Sequence, residues 1–191
     1  MSLWWLPALI LLLAMSARYA WWKPPLPDRL PRVLMYHMIS PQGTSKKHRG
    51  LRVDPAMFER QIAWLATNGW EFVTLSTLTE RGVSGGKQVA ITFDDGYEDN
   101  MRNALPVLQK YDAKATLYLV VDRHDNDWSV KKTAHHNPGE LAAEPKLSDR
   151  QVRQLIDSGV FELGGHTLTH CHLPSAPLQE KRRKSAPAGK S

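Results

Sequence analysis

A single cysteine, Cys171, excludes a disulfide framework and any zinc knuckle built on paired cysteines. No segment repeats at a fixed period, which excludes a solenoid or propeller. Net charge is also scarce where a binding surface would need it. The chain carries +6 overall, yet Glu180–Ser191 alone holds five basic residues against one acidic. The remainder has 20 basic and 18 acidic residues, a balance of +2, too small for a nucleic-acid-binding face.

With 42% hydrophobic and 23% charged residues, the 191-residue chain has the composition of one ordinary folded domain. Its first stretch is different. Leu3–Met15 is uncharged and apolar, and apolar character resumes after Arg18 as far as Trp22. Tryptophans at both ends (Trp4, Trp5, Trp21, Trp22) resemble the aromatic belts of membrane segments, so residues 1–22 are expected to be a membrane anchor or signal segment. Residues 23–31 carry Pro24, Pro25, Pro27 and Pro31 and read as a stiff linker. No lysine or arginine precedes the apolar run, whereas Arg18, Lys23, Arg29 and Arg32 follow it. Charge alone would therefore leave the C-terminal side in the cytoplasm.

From Arg32 the chain alternates. Strands are expected at Arg32–Ile39, Glu71–Leu75, Gln88–Phe93, Ala115–Val121 and Val160–Leu163, several of them continuous apolar runs. Between them, Asp54 and Pro55 open a helix with an apolar stripe at Phe58, Ile62 and Leu65. A short helical turn is expected at Ser76–Arg81 and a helix at Asn100–Tyr111 despite Pro106. Ser148 with Gln151 makes a capping box for a helix to Ser158. Asp122–Lys146 is polar and without period, as in a long loop. This alternation implies an α/β domain around a parallel sheet, with its chemistry at the carboxyl ends of the strands.

Two strands end in chemistry-bearing residues. Gln88–Phe93 runs into Asp94-Asp95-Gly96, where a turn can bring two carboxylates to one site, one to bind a metal and one to act as base. Asp-Asp-Gly is equally a good turn sequence. Val160–Leu163 runs through two glycines into His166-Thr167-Leu168-Thr169-His170, whose histidines would share one face of a helical turn. Two imidazoles and a carboxylate form a ligand set that leaves positions open for water and substrate. His135, His136, His172 and Cys171 are weaker candidates, better read as loop or packing residues.

Thr92-Phe93-Asp94-Asp95-Gly96-Tyr97 followed by His166-Thr167-Leu168-Thr169-His170 resembles the first two motifs of the polysaccharide deacetylases, carbohydrate esterases of family 4 with a NodB-like domain. The likeness covers roughly Arg32 to Pro174. It implies a distorted (β/α) barrel of seven strands and a divalent metal, usually zinc, with cobalt, nickel or manganese as alternatives. The activity implied is removal of N-acetyl groups from an amino-sugar polysaccharide. On that resemblance Asp94 is the general base, and Asp95, His166 and His170 bind the metal. Val33-Leu34-Met35-Tyr36-His37 is similar to the poly-N-acetylglucosamine deacetylase subgroup, in which an N-terminal histidine is the catalytic acid; His37 matches it. Tyr97 would line the sugar site. A glycan substrate places the domain on the extracytoplasmic side of the membrane, against the charge rule.

The family's later motifs, an arginine-proline segment and a hydrophobic-histidine segment, have no counterpart before the chain stops. The expected domain is thus a partial barrel over residues 32–174, followed by a basic tail at 175–191 foreign to the fold, as from a premature stop or frameshift. Two readings follow. One is a membrane-anchored, metal-dependent deacetylase, and the other a truncated pseudoenzyme or metal- or glycan-binding remnant.

Overall fold

Residues 4–20, 22–41, 48–82, 85–123, 141, 144–168, 170 and 178 are described by a computed structural model of the chain. His135, His136, Cys171, His172, most of the 122–146 loop and nearly all of the tail lie outside them.

The longest strand is the one with the most continuous apolar sequence. β5 (Gln88–Asp95) is buried along almost its whole length and serves as the spine of a parallel sheet. One edge of it pairs with β1 (Arg32–Tyr36), in register Arg32 with Val89 through Tyr36 with Phe93. The other edge is shared. β4 (Glu71–Val73) pairs with Gln88–Ala90, and β6 (Ala115–Leu119) takes over from Ile91 to Asp95. β7 (Phe161–Gly165) pairs with β6 and completes five parallel strands. A separate parallel pair joins β2 (Met38–Ile39) to β3 (Arg52–Val53).

Helices cover the sheet. α2 (Pro55–Thr67) starts where Asp54 accepts the Ala56 N–H at 2.9 Å, with proline in the first turn, and it buries Phe58, Ile62 and Leu65 as the sequence spacing predicts. α3 (Leu75–Arg81) is capped by Thr74. The helix expected from Asn100 is two pieces: a π-helical turn, Asn100–Ala104, then α4 (Leu105–Lys110). Pro106 is the physical reason. It has no N–H for an i→i−4 bond and its ring crowds the turn before it, so the widened turn sits upstream of it. α5 (Asp149–Asp157) carries the expected capping box. The core between these layers includes an aromatic row: Phe93 lies 5.7 Å from Tyr36, 5.9 Å from Phe58 and 5.6 Å from Phe161, centroid to centroid.

The N-terminal apolar stretch forms α1 (Leu6–Tyr19), of which no residue is buried. At 14 residues it is about 21 Å long, against a hydrocarbon core of about 30 Å. Among the described residues no helix is long and apolar enough to cross a membrane. The proline-rich segment after it is tied to the sheet by Arg32, whose guanidinium donates to the carbonyls of Leu30, Leu26 and Pro27.

Gly96, just beyond β5, has φ +88°, and a Cβ there would stand 2.4 Å from Leu119 Cδ1, in a side chain that is itself buried. Gly159 has φ +68° and open space around it. Gly96→Ala therefore combines backbone strain with overpacking and should cost roughly 2–4 kcal/mol, whereas Gly159→Ala should cost about 1 kcal/mol. Urea denaturation of the two variants checks the difference; equal losses would show that Leu119 gives way freely.

Candidate metal and active site

β5 runs two residues further than its apolar sequence suggests, because β6 continues to pair with it: Asp94 opposite Tyr118 and Asp95 opposite Leu119. Successive strand residues face opposite ways, and here Asp95 is 4% exposed while Asp94 is half-buried. Asp95 and Gly96 both have positive φ, +76° and +88°, so the chain turns sharply as it leaves the sheet.

β7 supplies the second arm. The His166 N–H donates to the Leu119 carbonyl at 2.9 Å, which extends the β6–β7 contact by one residue. The next carbonyls, of Thr167 and Leu168, accept from the N–H groups of Val121 and Asp122. The chain then returns to the site at His170. The helical turn expected for His166–His170 is not what brings the histidines together. Thr167 and His170 have φ +68° and +51°, left-handed values that no α-helix accommodates.

His166 Nε2 lies 3.4 Å and His170 Nε2 3.3 Å from the same oxygen, Asp95 Oδ1, and the two rings are 5.0 Å apart. One ligand atom from each of the three residues falls within 4.8 Å of the others. That oxygen is shut off from solvent, and both nitrogens stand at the outer limit of hydrogen-bond length. Donors about 2.0–2.2 Å from one tetrahedral ion stand about 3.3–3.6 Å apart, so the three residues fit a divalent metal better than they fit one another.

The charges agree with this grouping. Burial alone would push the Asp95 carboxyl up, but the polar contact with His166 and the charges of His170 and His37 outweigh it and hold it below its ordinary value. For Asp94 the balance is reversed: burial raises it, the negative Asp95 adds to the rise, and His166 and His37 only partly offset them. Asp94 and His37 therefore share the electrostatic neighbourhood of the three candidate ligands.

His37 sits between β1 and β2, where the single strand expected from Arg32 to Ile39 breaks. Tyr97, expected at the sugar site, is 1% exposed. It packs in a small cluster with Met38 and Leu141, under the Lys146 ammonium 4.9 Å from its ring centre. The ring is thus part of the packing beside the turn.

Other polar residues near the site escaped the sequence reading. Asn100 Nδ2 donates to the His37 carbonyl at 2.8 Å, and Asn103 Nδ2 to the Ile39 carbonyl at 2.6 Å. Asp99, between Asn100 and the Asp94–Asp95 turn, is pushed up to about 6 by burial, against the pull of the Ile39 N–H, the Ser40 hydroxyl and Arg52. Buried Arg123 donates to the Leu147 carbonyl and pairs with Asp149, locking the end of β6 to the start of α5. The Asn-x-x-Asn spacing at a helix start was the available signal, since it puts both amides on one face.

Residues 81–186 match the family model described as Polysaccharide deacetylase. The Bacillus subtilis protein YxkH, whose name assigns it to the polysaccharide deacetylases, is 33% identical over 90% of this chain and 54% of its own length. The poly-beta-1,6-N-acetyl-D-glucosamine N-deacetylase of Staphylococcus epidermidis is 30% identical over 68% of this chain and 42% of its own. Among solved structures, the polysaccharide deacetylase BC0361 of Bacillus cereus superposes with a TM-score of 0.60 at 34% identity, covering 79% of this chain and 43% of that one. The chain thus spans about half the length of the relatives it matches.

If Asp95, His166 and His170 form one ligand set, zinc titration of the full chain should show one site that is lost in His166→Ala, in His170→Ala and in Asp95→Asn. Affinity should fall as pH drops through the histidine range, because imidazole binds metal only when neutral. Undiminished binding in any one variant would remove that residue from the set.

Proposed function

The chain belongs to the polysaccharide deacetylase family, and on that premise we propose that it hydrolyses N-acetyl groups of an amino-sugar polysaccharide with the help of a divalent metal. One observation carries the reading: a buried carboxylate oxygen flanked by two imidazole nitrogens, with a second, more weakly acidic carboxylate next to it in sequence. Homology to a named poly-beta-1,6-N-acetyl-D-glucosamine N-deacetylase supports an N-acetylglucosamine polymer as substrate. We extend the proposal to an extracytoplasmic domain, since a glycan of this kind lies outside the cytoplasm.

Asp95, His166 and His170 would hold the divalent ion, zinc first among them, which when bound would supply Lewis acidity toward the acetamide carbonyl and a water molecule. The remaining steps belong to the protein. Asp94 removes a proton from the attacking water as the water oxygen bonds to the acetyl carbon, and the burial of its carboxyl favours taking up that proton. The carbon–nitrogen bond then breaks, and His37 gives its proton to the departing nitrogen. Acetate and a free amine are the products. Asp95 has the opposite assignment because its charge is held on by the histidines, which suits a ligand and not a base.

The alternative is a chain that binds metal or glycan without turnover. Acetate release from N-acetylglucosamine oligomers with added zinc or cobalt separates the two. Turnover is expected, with Asp94→Asn at least about a hundredfold slower. Activity should fall on acidification as Asp94 becomes protonated, because a neutral carboxyl takes no proton from water; a rate that stays flat down to the pH where the protein unfolds would remove Asp94 as the base. No acetate above the Asp94→Asn background would leave the alternative.

A further inference from the structure

The break at His37 poses a hydrogen-bonding problem. β1 ends at Tyr36 in one sheet and β2 begins at Met38 in another, so the carbonyl of His37 belongs to neither ladder. One turn of the chain answers it. From the π-helical turn and the residue before it, three side chains reach the segment His37–Ser40. Asn100 donates to the His37 carbonyl, Asn103 donates to the Ile39 carbonyl, and the Asp99 carboxylate accepts from the Ile39 N–H and the Ser40 hydroxyl.

We infer that Asn100 is a positioning residue for His37: it fixes the backbone from which that imidazole reaches the site. Asn100 is wholly buried. Its amide orientation follows from chemistry, since Nδ2 faces two acceptors, the His37 carbonyl at 2.8 Å and Asp99 Oδ1 at 3.1 Å. Its own Oδ1 is buried without a hydrogen bond. A burial that leaves one polar atom unpaired is explained by what the other half of the amide holds. The turn carrying Asn100 starts five residues after Asp95, so the same short stretch that delivers the carboxylates also sets the opposite side of the site. π-Helical turns recur at functional sites, and here the widened turn brings Asn100 and Asn103 to one strand end.

The inference rests on His37 being the acid of the proposed reaction, so its test has one arm that needs no turnover. In the zinc-loaded full chain, imidazole signals of His37, identified by their loss in His37→Ala, should shift or broaden in Asn100→Ala while zinc content stays unchanged. In the acetate assay, Asn100→Ala should lower kcat about ten- to hundredfold with little change in KM. In a His37→Ala background the same substitution should add nothing. Asn100→Ser, which keeps a shorter donor, should fall between wild type and Asn100→Ala and replaces it if the alanine variant does not fold. Unchanged His37 signals, or an equal loss of kcat with and without His37, would overturn the inference. Absence of turnover in the wild type would count against the deacetylase reading, and the His37 signals would still decide the role of Asn100.

Discussion

A carboxylate that stays ionised while buried must be surrounded by groups that favour its charge, and Asp95 is such a carboxylate. Much of this end of the sheet answers that demand. The central strand carries the group inward, the left-handed turn at Asp95 and Gly96 leads the chain away from it, and two histidines from another strand end close over it. Because both imidazoles approach the same oxygen at more than 3.2 Å, neither neutralises it by a short hydrogen bond. The arrangement is a cage of donors around a point between them, which is how a cation site differs from an ion pair.

The same demand separates two neighbouring aspartates. Asp94 and Asp95 have the same side chain and adjacent positions, yet burial dominates one and positive neighbours dominate the other. Strand geometry makes this possible, because alternate residues face different surroundings. The proposed division into metal ligand and base thus rests on a two-residue extension of β5 alongside β6, since the two side chains are chemically identical.

Much of this could be read from the sequence, and the parts that could not have a common cause. The apolar run Gln88–Phe93, the Asp54–Pro55 start and the Ser148–Gln151 box are local signals, and each produced its element. The strand ends bearing Asp94–Asp95 and His166 were visible for the same reason. What was missed depends on pairing between distant segments. β5 and β7 run on to Asp95 and Gly165 because β6 continues beside them, although polar and glycine residues suggested an earlier stop. The break at His37 arises because Met38 and Ile39 pair with Arg52 and Val53 instead of following β1. His170 reaches the site through left-handed residues, where a four-residue spacing suggested a helix. The buried face of Tyr97 depends on Met38, Leu141 and Lys146, none near it in sequence except by folding.

Register makes these details consequential. Asp95 lies opposite Leu119, and Leu119 opposite Gly165, so carboxylate and His166 stand in adjacent rows across three strands. β5 and β7 are about 10 Å apart at ordinary strand spacing, a gap that a carboxylate and an imidazole can close only from the same level. A slip of one residue would turn Asp95 to the other face and replace it with Asp94. Two glycines allow close approach at this level: a Cβ at Gly96 would strike Leu119, and one at Gly164 would lie 2.6 Å from the Tyr118 ring. Tyr118, in turn, is 6.4 Å from the His166 ring. The strand between the two halves of the site supplies none of its three metal-ligand candidates, yet it sets the spacing at which they meet.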